Sequence, residues 1–216
     1  MIFYDYWRSS SAWRVRIALH LKAIPFERRA VNLLSGEQRS PEFLAMNPLG
    51  QVPVLAIPGD PPQVLAQSMA ILGYLEERFP APSLLPPGES SWFRARARQL
   101  AEMINSGLQP FQNLSFQQRL GEAGLPDPAA FARDTIARGL AALEQAAGET
   151  AGDFLVGDSV TIADVYLVPQ LFGSRRLGID LAPYPTLLRA EAAAAALPAF
   201  QAARPEIQTD AVPPSH

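Results

Sequence analysis

The chain has no cysteine, which removes disulfide frameworks, zinc–cysteine sites and cysteine nucleophiles from consideration. Histidine is nearly missing too: His20 and His216 are the only two, too few for a histidine-rich metal site. There is no cationic surplus. Eighteen Lys and Arg stand against 21 Asp and Glu, a formal net charge of −3, whereas nucleic-acid-binding domains are normally basic. No run of about 18 apolar residues is present, so no membrane-spanning helix is expected. The first residues lack a basic stretch followed by an apolar one, the pattern of a secretory signal. A cytoplasmic protein without nucleic-acid, membrane or metal partners is the expectation. At 216 residues the chain is long enough for one large domain or two small ones.

What is present is concentrated near the start. Residues 2–6, Ile-Phe-Tyr-Asp-Tyr, are aromatic and β-branched and read as a strand. Val15, Ile17, Ala18, Leu19 and Leu21 then follow the spacing of a buried helix face. Between them lies Trp7-Arg8-Ser9-Ser10-Ser11-Ala12-Trp13, with three hydroxyls at a strand-to-helix turn. First-turn N–H groups lack intrahelical acceptors, and the dipole of the helix is positive there. Such a turn suits an anion, and Arg8, Arg14 and Arg16 add positive charge around it. The same serines would equally serve as plain helix caps, and the residues alone leave both readings open.

Beyond this turn, 26–33 reads as a second strand, 41–44 as a short helix, 51–57 and 63–65 as a hairpin, and 67–79 as a helix with one apolar stripe. The order β-α-β-α-β-β-α is complete by about residue 80. A proline-rich break at 80–88 follows, and no strand is evident after it. Residues 92–120 read as helix, kinked or restarted at Pro110, and 126–147 as another. Thr161 and Asp164 form a capping-box pattern ahead of an apolar run. The alanine-rich stretch 186–203 reads as helical, and 209–216 as a frayed tail. The expected architecture is an α/β domain over 1–80 and an all-helical domain over 88–212.

The order of elements is that of glutathione transferases, and Arg8-Ser9-Ser10-Ser11-Ala12-Trp13-Arg14-Val15-Arg16-Ile17-Ala18-Leu19 resembles the N-terminal signature of their zeta class, the group containing maleylacetoacetate isomerase. Asn47-Pro48, Gln51-Val52-Pro53, Gln67-Ser68 and Tyr74-Leu75-Glu76-Glu77 are similar to further zeta motifs. So are Gln109-Pro110-Phe111-Gln112-Asn113-Leu114, Ala163-Asp164, Leu167-Val168-Pro169-Gln170 and Asp180-Leu181-Ala182-Pro183-Tyr184-Pro185. The resemblance covers nearly the whole chain. It departs at one point: where the usual pattern is Ser-Ser-Cys-Ser-Trp, this chain has Ser9-Ser10-Ser11-Ala12-Trp13.

The resemblance implies a thioredoxin-like glutathione-binding domain followed by the helical domain of the family. It implies glutathione as cofactor, with Ser10, Ser11 and Ser9 as candidates for holding its thiol as thiolate, since a donor near sulfur favours the charged form. Val52-Pro53 resembles the family's cis-proline turn, whose backbone pairs with the cysteinyl part of glutathione. Gln67 and Ser68 would take the γ-glutamyl carboxylate at a helix start, with Gln51 and Gln109 as secondary contacts. Arg8 and Arg176 would bind substrate carboxylates through their planar forks. Arg14 and Arg16 are assigned mostly to packing and surface pairing, and Asp164 to capping.

The implied reaction is cis–trans isomerisation of maleylacetoacetate to fumarylacetoacetate in tyrosine and phenylalanine breakdown. Thiolate adds to the double bond, the bond rotates, and thiolate leaves. Maleylpyruvate isomerisation on a gentisate-type route is the nearest alternative. The related maleylpyruvate isomerases also lack the cysteine. A general transferase or α-halo acid dehalogenase, and a non-catalytic binding module of the same fold, are the others. A homodimer is implied by the resemblance.

Overall fold

In the computed structural model, which describes residues 1–86, 88 and 90–212, the chain resolves into two units. One comprises Met1–Pro82 together with Pro198 onward, and the other Ser83–Leu197. The first contains β1 (Ile2–Asp5), α1 (Ser10–Leu21), β2 (Glu27–Ala30), α2 (Pro41–Met46), β3 (Val54–Ile57), β4 (Gln63–Ala66) and α3 (Ser68–Arg78). The four strands form one mixed sheet in the order β2-β1-β3-β4. β1 and β2 run parallel across the α1 crossover, and β3 is antiparallel to both β1 and β4.

Side chains alternate across a strand, which sorts the core into two layers. Tyr4, Tyr6, Val54 and Ala66 gather with Val31, Phe43 and Val52 on the α2 side. Phe3 and its cross-strand partner Leu55 are fully buried, and Asp5 faces Arg16 of α1. α1 packs against α3, and Ala12 to Leu19 of α1 are all buried.

The second unit holds α4 (Ser91–Gly107), α5 (Leu114–Glu122), α6 (Pro128–Ala147), α7 (Ile162–Arg176) and α8 (Pro185–Ala195). The helix expected over 92–120 is broken: Gly107 ends α4, a 3-10 turn occupies Gln109–Gln112, and α5 restarts after it. Pro110 lies inside that turn, where it neither supplies an N–H nor tolerates a helical carbonyl behind its ring. α7 is the central helix, buried at every position from Ile162 to Leu171, and α4 and α8 pack on it. No helix of the described residues is long and apolar enough to cross a membrane.

Three expectations about the C-terminal stretch change. The alanine-rich segment is two helices, α8 and α9 (Pro198–Ala202), because Pro198 cannot continue the preceding helix and instead starts the next. From Pro198 the chain also leaves the helical unit, whose expected span was 88–212, and packs with the first unit, α9 against α1. Phe200, Ala203 and Pro205 are buried there. Nor are residues 209 and 210 frayed. The Asp210 carboxylate accepts from the Trp7 N–H at 3.2 Å and pairs with Arg28 at 2.7 Å. The rest of the expected tail, 213–216, lies outside the described residues, as does Pro87 of the proline-rich break.

Candidate functional site

Register decides where the site residues meet. Tyr4 near the end of β1 pairs with Val54 at the start of β3, and Val54 pairs with Ala66 at the end of β4. Three connections therefore emerge at one edge of the sheet: the turn into α1, the Val52-Pro53 segment entering β3, and the turn from β4 into α3. The expected Ser9–Ser11, Gln51–Pro53 and Gln67–Ser68 groups thus converge, although up to 59 positions separate Ser9 from Ser68.

Ser9 caps α1: it is extended, and its Oγ accepts from the Ala12 N–H at 3.2 Å. Ser10 and Ser11 open the helix and are half-buried. The peptide bond between Val52 and Pro53 is cis, as the resemblance implies. Both residues are buried, so the segment offers backbone rather than side chain. Asn47, itself buried, donates from Nδ2 to the Gln51 carbonyl at 2.7 Å and holds the approach to this bond.

At the start of α3, Gln67 has φ +70° and ψ +119°. A side chain rarely adopts this left-handed region, at a cost of order 1–3 kcal/mol that the surrounding structure must offset. Its Nε2 lies 3.5 Å from Gln51 Oε1, so the two exposed amides sit side by side. Ser68 is buried and its Oγ accepts from Arg14 Nη1 at 3.3 Å.

Of the packing and surface pairing expected for Arg14 and Arg16, the packing holds and the surface part is corrected: both are fully buried. Arg14 brings a cation from α1 to the start of α3. Arg16 Nη1 donates to both oxygens of Asp5 at 2.7 and 2.6 Å, and burial lowers its pKa although Asp5 pulls the other way. The available signal was two arginines within an otherwise apolar helical run, which a solvated face would not contain.

Neither α1 nor α3 carries an acidic residue in its first turn. Two positive helix ends, a buried guanidinium, two amides and the hydroxyls of Ser9, Ser10, Ser11 and Ser68 make a polar set suited to a ligand with carboxylates and an ionisable thiol. Glutathione has that chemistry, so the residues fit the group that the resemblance implies. Arg8 is half-buried, with its guanidinium 5.6 Å from the centre of the Trp7 ring.

The remaining expected residues belong to the helical unit. Gln109 begins the 3-10 turn and donates to Asn113 Oδ1 at 2.8 Å. Arg176 is the last residue of α7 and is exposed. Asp164 caps α7 as expected. Its carboxylate accepts from the N–H groups of Leu155 and Thr161 at 2.9 and 2.8 Å and from the Thr161 hydroxyl at 3.0 Å.

The N-terminal domain model of glutathione S-transferases matches residues 8–78, and the C-terminal domain model matches 92–208. Maleylacetoacetate isomerase of Rattus norvegicus is 44% identical over 212 residues, covering 97% of this chain and 94% of its own. A crystal structure of maleylacetoacetate isomerase from Anaeromyxobacter dehalogenans, with glutathione bound in the active site, is 54% identical with a TM-score of 0.89, covering 98% of this chain and 97% of that one. Maleylpyruvate isomerase from Pseudomonas aeruginosa is 34% identical with a TM-score of 0.81, covering 98% and 100%.

Proposed function

The chain belongs to the glutathione S-transferase family, in its zeta class, and we propose that it is a glutathione-dependent cis–trans isomerase acting on maleylacetoacetate. The observation that carries this reading is the convergence of the serine turn, Val52-Pro53 and Gln67-Ser68 at one sheet edge, in a chain so similar to maleylacetoacetate isomerases. When bound, glutathione supplies the thiol nucleophile.

The work of the protein is to bind it and hold its charge. Ser10 and Ser11, with Ser9 as cap, donate toward the sulfur and favour thiolate, helped by the positive end of α1. Gln67 and Ser68, backed by Arg14, take the γ-glutamyl carboxylate. The backbone at Val52-Pro53 pairs with the cysteinyl unit. Gln51 and Gln109 are secondary glutathione contacts, and Arg8 and Arg176 bind substrate carboxylates. Donors already oriented toward growing negative charge need no reorganisation during reaction, which is where most rate enhancement of this type originates.

Maleylpyruvate is the competing substrate, favoured by Ser11 standing where the zeta pattern carries cysteine. Place in aromatic amino acid breakdown, a cytoplasmic setting and a homodimer complete the proposal.

The test is loss of maleylacetone absorbance with and without glutathione, run beside maleylpyruvate. Many turnovers per glutathione without net thiol loss support the isomerase. A higher kcat/KM for maleylpyruvate moves the substrate assignment. Stoichiometric thiol loss makes the protein a conjugating transferase, and neither reaction nor glutathione binding leaves a non-catalytic module.

A further inference from the structure

The turn between β1 and α1 is only four residues long, 6–9; it ends on Ser9 and leads directly into Ser10 and Ser11 at the start of α1. Within it the Ser9 N–H donates to the Tyr6 carbonyl at 2.9 Å. Its Ser9 end is also tied to α1, with the Trp13 N–H donating to the Ser9 carbonyl at 2.8 Å and the Ala12 N–H to Ser9 Oγ at 3.2 Å, while two side chains outside the turn act on the backbone of Trp7. Arg16 Nη2 donates to the Trp7 carbonyl at 2.8 Å. The Trp7 N–H donates to Asp210 Oδ2 at 3.2 Å, a residue 203 positions away.

Asp210 is itself held. Its Oδ1 lies 2.7 Å from Arg28 Nη2, and Arg28 Nε donates to Asp5 Oδ2 at 2.8 Å. Asp5 is the carboxylate to which Arg16 Nη1 donates, and Arg16 Nε donates to the Ala203 carbonyl at 3.1 Å. One buried carboxylate in β1 thus orients two arginines, and these fix the C-terminal segment at Ala203 and Asp210. The segment in turn fixes the N–H of Trp7. The side chains of Asp5 and Arg16 are fully buried, and those of Arg28 and Asp210 are 14% and 21% exposed. Water therefore screens the network little.

We propose that Asp210 is a positioning residue for the serine turn: the C-terminal segment is a strap that sets the height of Ser9–Ser11 through the Trp7 N–H. The inference rests on the reading of that turn as the thiolate site. Preorganised donors lose effect steeply with misplacement of about an ångström. Releasing one end of a four-residue turn permits a shift of that size without disturbing Val52-Pro53 or Gln67-Ser68, which other elements hold.

The test compares Asp210→Ala and Asp210→Asn with the unaltered protein. Asp210→Asn preserves shape and an acceptor for Trp7 but loses the charge that Arg28 holds, so it serves should Asp210→Ala fail to fold. Three readouts are taken: amide hydrogen exchange over 7–12, the ultraviolet thiolate signal of bound glutathione at neutral pH, and kcat with the glutathione dissociation constant.

Expected for Asp210→Ala are exchange and kcat effects of about tenfold each, faster and slower respectively, a weaker thiolate signal, and a dissociation constant within about twofold. Asp210→Asn should show the same changes at smaller size. Unchanged exchange and thiolate signal in both variants, with only a lowered Tm, would overturn the proposal. Should the unaltered protein bind no glutathione, the site reading falls, and the exchange over 7–12 still decides whether the strap exists.

Discussion

Two helix starts in this protein solve one physical problem in opposite ways. Each helix start presents N–H groups without intrahelical acceptors and the positive end of a dipole. At α7 the chain brings its own anion: Asp164 is fully buried, accepts from Leu155 and Thr161, and completes a capping box with Thr161. At α1 the cap is a neutral serine, the first turn contains no acid, and Ser9 to Ser11 stay half-buried. The first arrangement is internally satisfied and serves folding. The second keeps its positive potential available, and so suits a ligand carrying negative charge. Between these two helix starts, the first-turn acid of α7 and its omission from α1 mark the internally satisfied end and the open one.

The largest effect should come from breaking the satisfied end. Asp164→Ala strands two buried backbone donors and should cost about 4 kcal/mol of stability, read by denaturant unfolding. Burial pushes the Asp164 carboxyl up to about 6, although its Leu155 and Thr161 donors pull the other way. A carboxyl raised in the folded state contributes most below its ordinary value of 3.8 and loses that contribution as pH rises through about 6. The stability of the unaltered protein relative to Asp164→Asn should therefore fall between pH 4 and pH 7. A flat difference would show that the three donors outweigh burial.

At the open end, Arg14→Met keeps the volume of the helix face while removing the cation beside Ser68. Glutathione affinity should drop by about tenfold to a hundredfold, measured by calorimetric titration, because charge-assisted contacts to a carboxylate are the strong ones. Gln67→Gly should weaken glutathione by about tenfold yet leave stability unchanged or about 1 kcal/mol higher, since glycine adopts the left-handed backbone freely. Loss of both affinity and stability would mean that Gln67 is structural. The smallest change is Ser9→Ala, which removes the cap of α1 and should cost about 1 kcal/mol in thermal or denaturant unfolding.

Much of this was legible in the residues themselves. The serine turn and the Thr161–Asp164 box are short motifs that specify their conformation within a few positions, whereas the roles of Val52-Pro53 and Gln67-Ser68 followed from the resemblance to the zeta class. Less legible was Arg14: a charged residue in an apolar helical run signals a buried partner without naming it, and Ser68 lies 54 positions on. The strained backbone of Gln67 left no local trace, because nothing in a Gln-Ser pair distinguishes a left-handed residue from an ordinary cap. The alanine-rich run over 186–203 reads as one helical stretch, a reading that misses the break at Pro198 although proline cannot continue a helix. The change of unit at that proline left no signal at all, because it depends on which surface the following residues cover.

By itself the sequence determined the order of strands and helices in the first unit, which helix starts carry acid and which do not, and what chemistry sits at each turn. These follow from propensity, capping and turn geometry, all of which act over a few residues. Only the tertiary structure decided that three distant turns share one sheet edge, that Arg14 and Arg16 are interior, and that Asp210 returns to grip Trp7. Those outcomes depend on strand register and on the pairing of buried charges across the chain, and such interactions gain their strength only once water has been excluded around them.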